Sequence, residues 1–354
     1  MPLLEVKVLT KREDNLLSKF LDQLGKTNIS VLAYHFPFYR DVLEKSEVGK
    51  PLYFGCWQNE KLIGVLPGFI KESDLGIVYS SMPFFGPNAG VLCDYFCDNS
   101  QIIHTTLINS VLSYLANHSD PISASFYTPF NRSDFDFYSN SISSTLSIIK
   151  HTLYLPLAEY KLNAKTRYDV KKSQNYGVKI STDVTTEKVR IFNSIYEKNC
   201  EDYCIPQKPY KVISQLASKS YKCKKIRFYF AEYNKKIIAG LLVLWGVKTA
   251  SYYIPCSLHE YRYLQASSLL INYAMTDTKK NGLNYWNWES SPSTDSGVYK
   301  FKKKWGSTES EYRLFIKIFK KQAFFEHLGK NKIADRFPYF FVYPFYLLDT
   351  YIPK

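Results

Sequence analysis

The sequence lacks a long hydrophobic run, which argues against a chain built around membrane-spanning helices. Its longest apolar stretches are Ile237–Val247 and Phe337–Leu348, and the second contains two prolines. Both are far shorter than the roughly 20 residues that cross a bilayer as a helix. The first residues, Met-Pro-Leu-Leu-Glu, also lack the basic-then-apolar order of a secretory signal. We therefore expect a soluble, cytoplasmic protein with no transmembrane segment.

Cysteine is sparse, and its pattern gives little support to a disulfide or metal framework. The seven cysteines are an odd number, which, without an export signal, indicates reduced thiols. Two C-x3-C pairs occur, Cys93/Cys97 and Cys200/Cys204. Their spacing is unusual for a four-thiolate zinc site, and no paired histidine accompanies them. We expect no metal, and a cysteine–histidine nucleophile stays an open alternative to which no motif points.

Apolar and aromatic side chains and positive charge are abundant instead. The 354 residues are 45% apolar and 17% aromatic, which excludes a disordered chain, a collagen-like fibre and a disulfide-stapled miniprotein. The length predicts about two domains with a proper core. Lys and Arg number 46 against 32 Asp and Glu, a net charge of +14. That surplus favours a polyanionic partner such as a phosphate-bearing ligand, a nucleic acid or an acidic membrane.

Most of the surplus charge lies in two segments. Residues 161–190 hold eight Lys/Arg against three acids, and residues 300–354 hold twelve against five, so together they carry +12 of the +14. Arginine forks onto phosphate oxygens, and lysine supplies a point charge. We therefore expect Arg167, Lys171 and Lys172 to bind a phosphate-bearing ligand. The alternative is a solvated surface that keeps the protein soluble.

The two halves of the chain repeat one pattern, which predicts a duplicated α/β unit with mixed sheets of the α+β type. Residues 53–66 and 229–242 align without gaps, each as an aromatic strand, a polar turn and an apolar strand with one glycine. A third strand, a helix and a last strand should follow in each half: Leu75–Ser80, Gln101–Asn117 and Ile122–Tyr127, then Thr249–Ile254, Tyr263–Asn281 and Leu283–Glu289. We expect the strand Thr249–Ile254 to end at Pro255, because proline has no backbone N–H. The helices expected before the hairpins are Asp14–Leu24, Glu187–Cys200 and Tyr210–Ser220.

This order of elements resembles the GNAT acyltransferase fold. Two such units in tandem resemble the FemABX peptidyltransferases and the FemAB-like acyltransferases of envelope polysaccharide biosynthesis. Three stretches carry the resemblance: Arg167–Ile180, with an arginine, basic residues and a glycine before a strand; Gly297–Gly306, with Tyr, Phe-Lys, an aromatic residue and Gly; and the glycine loop Ser81–Gly90. The resemblance covers about residues 28–315.

The resemblance implies two tandem GNAT-like domains with a cleft between or beside them. The first would be residues 1–155, joined by a tail of residues 316–354, and the second residues 156–315. It implies transfer of an acyl or aminoacyl group, from acyl-CoA or aminoacyl-tRNA, onto an amine of a cell-envelope glycan, a nucleotide-sugar or a peptidoglycan precursor. The implied partners are a phosphate-bearing glycan or nucleotide-linked substrate, and tRNA. CoA-dependent sugar N-acetylation is the alternative reaction.

The family's Phe-Lys pair falls on Phe301 and Lys302, and by resemblance Lys302 acts on the donor or on the transition state. A fixed ammonium would stabilise the negative charge that acyl transfer builds on a carbonyl oxygen. On an extended segment Lys300, Lys302 and Lys304 would share one face, and Tyr299 would share the other with Phe301. We expect Lys302 to be catalytic and Lys300, Tyr299 and Phe301 to bind substrate. The alternative is a surface lysine in a basic run.

Two features leave the mechanism open. The attacking amine must lose a proton, and His259, Glu260 and Glu289 are candidates to accept it, with positioning alone as the alternative. Ordinary GNAT enzymes bind the CoA pyrophosphate with a glycine-rich loop before the central helix. Leu258–Ala266 has no glycine, and neither has Asp94–Asn99 at the equivalent place in the first half. This departure favours an aminoacyl-tRNA donor or a non-standard thioester mode.

The chain after Phe319 is basic and aromatic. This composition favours either packing on the first unit or a peripheral contact with the anionic inner face of a membrane. Basic and aromatic residues also interleave in single-strand binders. A basic RNA-binding protein is therefore an alternative of another class, although no RNA-binding motif of recognised form occurs. A non-catalytic scaffold is a further alternative.

Overall fold

The computed structural model describes residues 4–84, 86, 89–118, 120–132, 135–142, 146–291 and 293–348. The strands, in chain order, are β1 (Leu4–Leu9), β2 (Lys50–Pro51), β3 (Tyr53–Gln58), β4 (Lys61–Leu66), β5 (Phe69–Ser73), β6 (Gly76–Ser80), β7 (Leu92–Cys93), β8 (Pro121–Tyr127), β9 (Leu146–Pro156), β10 (Lys179–Ser181), β11 (Ile226–Tyr233), β12 (Lys236–Trp245), β13 (Thr249–Ser257), β14 (Tyr285–Ser291) and β15 (Thr308–Ile318). The α-helices are α1 (Asp14–Gly25), α2 (Pro37–Lys45), α3 (Ser100–Ala116), α4 (Asp136–Ser141), α5 (Ala164–Asn175), α6 (Thr186–Asp202), α7 (Tyr210–Ser220), α8 (Ala266–Lys280), α9 (Gly297–Lys303) and α10 (Gln322–Arg336).

The chain forms two compact units. They are Met1–Leu24 with Tyr34–Lys150 and Glu311–Lys354, and Gly25–Ala33 with His151–Ser310. In the described part of the chain, no helix combines the length and the apolar character needed to cross a membrane.

The first unit is built on two sets of paired strands. One is an antiparallel sheet in the order β1-β3-β4-β7, and the other runs β15-β8-β6-β5-β2. In the second set β6 and β8 are parallel. Helix α3 packs on β3 and β4, and its Ile103, Leu107 and Val111 recur at helical spacing in a core that includes Phe54 and Phe126.

The second unit has strands in the order β10-β11-β12-β13-β14-β9. The β13–β14 pairing is parallel and its neighbours are antiparallel. Helix α8 packs on β11, β12 and β13, and α5 packs on α8. Leu270, Ile271 and Ala274 of α8 bury a helical stripe in a core shared with Trp286 and Trp288. This core holds β13 and β14, where the site described below is located.

The glycine of each repeat marks a close helix contact. Gly64 on β4 and Gly240 on β12 occupy equivalent positions of the two hairpins. A Cβ at Gly64 would lie 2.5 Å from Ile103 Cγ2, and one at Gly240 would lie 2.4 Å from Phe192 Cδ2. Carbon atoms pack at about 3.5–4.0 Å. Each glycine therefore admits a helix side chain that a larger residue would displace.

Four of the five predicted helices are confirmed, and the predicted strands are partly corrected. Asp14–Leu24, Gln101–Asn117, Glu187–Cys200 and Tyr210–Ser220 correspond to α1, α3, α6 and α7. In the first half, however, the predicted third strand pairs with β5, a strand that the sequence analysis does not predict. Pro67 and Gly68 separate β4 from β5, because proline has no N–H for the ladder. The equivalent β12 runs unbroken through 10 residues.

The expectation that Pro255 closes its strand is wrong, because β13 continues to Ser257. Leu258 N donates to Ile238 O across the β12–β13 ladder at 2.9 Å. Hydrogen-bonded pairs alternate along an antiparallel ladder, and the register therefore turns the Pro255 nitrogen away from β12. The missing N–H costs the β12–β13 pairing nothing.

Replacing Gly240 with Ala tests the glycine contact. The new Cβ would overlap Phe192, and we expect overpacking to cost about 1–3 kcal/mol of unfolding free energy. Chemical denaturation followed by tryptophan fluorescence would measure the change. Gly297→Ala is the matched control, because a Cβ there meets nothing within 4 Å. Equal stability of the two variants would contradict the role given to Gly240.

Candidate active site

Strands β13 and β14 begin as neighbours and then part. Their parallel pairing joins Thr249–Ser251 to Tyr285–Asn287. In the part of the chain that the structure describes, the pairing goes no further, although β13 continues to Ser257 and β14 to Ser291. The backbone edges of the two strands therefore separate just beyond Ser251 and Asn287.

Each strand carries a bulge beyond this point. On β13 the register with β12 shifts, and Tyr253 is the extra residue. On β14 the register with β9 shifts between Asn287 and Ser290, and Glu289 adopts a left-handed backbone with φ 60°. A non-glycine residue in that region costs on the order of 1–3 kcal/mol. The surrounding contacts must therefore hold Glu289 in place.

The Phe-Lys motif lies on the short helix α9, so the extended segment expected from the sequence is wrong. Ser296 caps this helix, and its Oγ accepts a hydrogen bond from Tyr299 N at 3.1 Å. Helical spacing turns Tyr299 and Lys302, three residues apart, to the buried side. Lys300 is exposed and Phe301 is half-buried. The expected grouping of Lys300 with Lys302, opposite Tyr299, therefore does not occur.

The Lys302 ammonium lies among three oxygen atoms of β14. Its Nζ donates to Ser290 O at 2.8 Å, to Ser291 Oγ at 3.2 Å and to Glu289 O at 3.3 Å. The residue is 4% exposed. Burial lowers the pKa of Lys302 to about 7, against the opposing influence of the Glu289 charge. Both protonation states are therefore accessible near neutral pH.

A hydrogen-bond network holds the Glu289 carboxylate beside the last strand pair. Its Oε1 accepts from Asn287 Nδ2 at 2.7 Å, and the same nitrogen donates to Ser251 Oγ of β13 at 3.2 Å. Thr152 Oγ1 of β9 donates to Glu289 O at 3.0 Å. Asn287 is fully buried, so the network is rigid. Of the three base candidates, Glu289 is the one at the parting of β13 and β14.

The other two base candidates lie on the 3₁₀ turn His259–Leu264, which precedes α8. His259 and Glu260 are exposed, and Glu260 faces Lys236 at 3.9 Å. The helix expected from Tyr263 begins only at Ala266, because the turn comes first. Gln265 between them is left-handed, with φ 56°. Gln265 therefore adopts a left-handed conformation that glycine adopts at lower cost.

Trp288, on β14, packs against aromatic side chains of β13 and α9. Its ring centroid lies 5.1 Å from that of Tyr252 and 6.5 Å from that of Phe301. The Trp288 Nε1 donates to Ser307 Oγ at 2.5 Å. Lys304 Nζ lies 4.5 Å from the Phe301 ring centroid. Phe301 therefore anchors α9 to the core and carries a cation on its outer side.

The first basic segment forms α5. Asn163 caps this helix, and its Oδ1 accepts from Thr166 N at 2.9 Å. Arg167 and Lys171 are exposed, and Lys172 is half-buried. The three cations thus belong to one helix, with the buried Thr166 facing the core.

The structure joins the two motif-bearing stretches. Lys304 Nζ pairs with Asp169 Oδ2 of α5 at 3.3 Å. Asn163 Nδ2 donates to Lys304 O at 2.5 Å. The helix that carries Arg167 is therefore tied to the end of α9, the helix that carries Lys302. The sequence alone places these residues more than 130 positions apart.

Lys208 is a cation that the sequence analysis missed. Its Nζ lies 5.0 Å from the ring centroid of Tyr253, the bulge residue of β13. Burial lowers the pKa of Lys208, and the Glu289 charge acts in the opposite direction. The sequence gives one local indication of Lys208. It lies in Pro206-Gln207-Lys208-Pro209, where two prolines stiffen the chain around it.

The cysteine alternatives find little support. All seven cysteines lie in the described part of the chain, and no disulfide joins them. Among the described residues, no group of three His, Cys, Asp or Glu side chains is arranged to hold a metal ion. His104 Nδ1 lies 3.8 Å from Cys93 Sγ but only 2.8 Å from Ser100 O. The carbonyl requires a proton on that nitrogen, so it cannot accept one from the thiol.

One predicted motif and the tail are only partly covered by the described residues. Residues 85, 87 and 88 of the predicted glycine loop Ser81–Gly90 are outside the described residues, as are residues 349–354 of the tail.

Comparison with known proteins gives one family match, over part of the chain. The model of the FemAB family matches residues 204–313. That range contains Lys208, β13, β14 and all of α9. A search among curated proteins gave no match.

Solved structures share the fold over most of the chain. FemX matches with a TM-score of 0.67 at 11% identity, over 92% of this chain and 100% of that chain. L-PGS from Bacillus licheniformis gives 0.56 at 10% identity, over 91% and 95%. A tandem GNAT protein from the clavulanic acid biosynthesis pathway gives 0.52 at 10% identity, over 90% and 100%. The predicted fold class, a mixed α/β tandem GNAT fold, is confirmed.

The buried Lys302 predicts a pH dependence of stability. The unfolded chain keeps its lysine protonated up to about 10.4, whereas the folded pKa is about 7. Between these values the unfolded state binds more protons, so this residue makes stability rise with pH and lose that gain as pH falls towards 7. From pH 7 to 9 the wild type should gain about 2 kcal/mol over Lys302→Met.

Urea unfolding of both proteins at the two pH values would measure this difference. Because the two chains differ at one group, other titrations cancel in the comparison. Parallel pH profiles would show that Lys302 keeps an ordinary pKa.

Proposed function

We propose that the protein is a FemAB-like transferase of the GNAT superfamily and that it moves an acyl or aminoacyl group onto an amine of a cell-envelope precursor. The acceptor class is a glycan, a nucleotide-sugar or a peptidoglycan precursor. The family match supports the reaction class, since it includes the Phe301-Lys302 motif. The fold shared with FemX and L-PGS supports the envelope setting.

The buried ammonium of Lys302 is the observation that carries this proposal. Acyl transfer builds negative charge on the carbonyl oxygen, and a preorganised cation stabilises that charge best where water is excluded. The oxygens of Glu289, Ser290 and Ser291 hold Lys302 before any substrate binds. Its positive charge then lies beside the parted strands without any reorganisation during the reaction. Lys302 is therefore proposed as the catalytic cation.

The cations of α5 and the exposed Lys300 of α9 are proposed to bind the phosphate of the acceptor. Arg167 provides a fork, and Lys171 and Lys172 add charge on the same helix. Lys300 extends this set from α9. The assignment of Tyr299 and Phe301 to substrate binding stays a prediction. Because Tyr299 is buried and Phe301 is half-buried, we propose that they act mainly by positioning α9.

Either an aminoacyl-tRNA or an acyl-CoA is the proposed donor. The missing glycine before α8 favours tRNA or a non-standard thioester mode. However, Gln265 takes up the left-handed turn itself, and its side chain makes no capping hydrogen bond to the first turn of α8. Amide groups there suit a pyrophosphate. This observation supports CoA-dependent sugar N-acetylation as the second candidate function.

The domain and location assignments belong to the same proposal. We assign residues 1–155 with the 316–354 tail to one GNAT-like domain and residues 156–315 to the other. The two compact units support this division, except that Gly25–Ala33 belongs to the second unit and the boundaries lie about five residues earlier. We place the protein in the cytoplasm, with the basic tail as the surface for peripheral contact with the inner membrane face.

Lys302→Met tests the catalytic assignment. Loss of one preorganised charge costs about 10²–10³ in kcat, and we expect a loss of that size. The assay uses radiolabelled acetyl-CoA or charged tRNA with a panel of amino sugars. Lys303→Met is the control and should keep the wild-type rate, because Lys303 is an exposed neighbour paired with Glu309.

Two results would contradict these assignments. A folded Lys302→Met variant with full turnover would remove Lys302 from the site. A wild-type protein that transfers from neither donor but binds RNA tightly would favour the RNA-binding alternative.

Arg167→Ala tests the acceptor site. Loss of a charged hydrogen bond of about 1.5–3 kcal/mol should raise KM for a phosphate-bearing acceptor by at least tenfold and leave kcat close to wild type. It should also weaken the dependence of kcat/KM on salt. Arg12→Ala, an exposed arginine outside the basic segments, should change neither. An unchanged KM in Arg167→Ala would exclude this arginine from acceptor binding.

A further inference from the structure

Glu289 is held in a costly conformation by contacts to every part of the residue. Its N–H donates to Asn287 Oδ1 at 2.9 Å, and its Oε1 accepts from Asn287 Nδ2 at 2.7 Å. Its carbonyl accepts from Thr152 at 3.0 Å and from Lys302 at 3.3 Å. Left-handed non-glycine residues persist only where surroundings over-determine them, and they cluster at functional sites. The backbone and the carboxylate of Glu289 are thus positioned separately.

Two lysines from different elements lie near enough to Glu289 for its charge to raise their pKa values against the effect of burial. Lys302, on α9, donates to the Glu289 carbonyl oxygen at 3.3 Å, and Lys208 lies in the loop between α6 and α7. The Lys208 loop is itself anchored, since Lys208 N donates to Tyr196 Oη at 3.0 Å. The neighbouring strands contribute neutral groups at Asn287, Thr152 and Ser251. The ionised carboxylate is the form that accepts a proton.

The place of this carboxylate in the fold is also specific. Its partner Asn287 is the last residue of β14 paired with β13, and it contacts Ser251, the last paired residue of β13. The Glu289 carboxylate therefore stands at the fork where the two strands separate. Across the fork lie the bulge residue Tyr253 and the Lys208 ammonium above its ring.

We propose that Glu289 is the general base of the transfer, which rests on the proposed function because it names the proton acceptor of that reaction. The amine nitrogen forms a bond to the acyl carbon as an N–H bond breaks and its proton passes to the Glu289 carboxylate. The bond from the acyl carbon to the donor's oxygen or sulfur then breaks, and that atom keeps the electron pair. The proton held by Glu289 passes to the leaving atom, and the carboxylate is restored.

In this scheme the neighbouring lysines have distinct tasks. Lys302 supplies positive charge for the carbonyl oxygen, and Lys208 keeps Glu289 ionised until the amine arrives. Lys208 is a positioning residue, because it acts through Glu289. The exposed Glu260 and His259 have no part in the step.

Glu289→Gln is the decisive variant. Glutamine has the same size, and its side-chain oxygen can still accept from Asn287 Nδ2. General-base catalysis is worth about 10²–10⁴, so kcat for the amine acceptor should fall at least 100-fold, with KM nearly unchanged. An alkoxyamine analogue of the acceptor loses its proton to water far more readily, so its transfer rate should fall much less. Glu201→Gln, a surface carboxylate of α6, should match wild type with both acceptors.

Lys208→Met is an independent test of the general-base proposal. The attraction between the Lys208 and Glu289 charges is mutual, so loss of the cation should move the acid limb of the kcat/KM profile to higher pH. Should Glu289→Gln fail to fold, this shift still decides the question.

The outcomes separate the two proposals. A folded Glu289→Gln variant with wild-type kcat, or equal losses with the amine and the alkoxyamine, would overturn the general-base inference while the transferase activity stands. An unmoved acid limb in Lys208→Met would overturn it as well. A wild-type protein inactive with both donors would overturn the proposed function itself.

Discussion

The site depends on how one ammonium group is kept out of water. A buried lysine is tolerated only where oxygen atoms replace its lost hydration, and a regular strand cannot offer it successive carbonyl groups, since these alternate in direction. The bulge in β14 breaks that alternation and turns Glu289 O and Ser290 O towards one nitrogen. The left-handed backbone of Glu289 follows from the bulge, and the Asn287 network follows from the need to hold it. Removing the lysine would therefore affect the strand as well as the chemistry.

Much of the fold follows from patterns that are local in the sequence. The duplicated hairpin, its equivalent glycines and helices such as α7 rest on spacing of apolar residues over a few turns or strands. The extra strand β5 was not predicted, because a Pro-Gly pair divides what the second half keeps as one long strand. Pro255 was misjudged for a related reason, since the direction of its nitrogen depends on the register with β12.

The candidate site was harder to predict than the fold. The lysines at 300, 302, 303 and 304 look alike in sequence, yet the structure gives each a different environment: exposed, buried in oxygens, paired with Glu309 and paired with Asp169. The cap at Ser296 decides this, because it converts an alternating pattern into a helical one. Lys208 could not be assigned, since its relation to Glu289 exists only when a loop, a bulge and a strand come together.

Pro255 has a consequence for how this protein avoids unwanted association. Where β13 and β14 part, no strand among the described residues pairs with that edge of β13, and open edges invite strands of other chains to add to the sheet. The proline places its ring, and no N–H, on that open edge. An incoming strand would find its ladder of hydrogen bonds interrupted there. The residue that is harmless to the β12 pairing thus interrupts strand addition on the opposite side of β13.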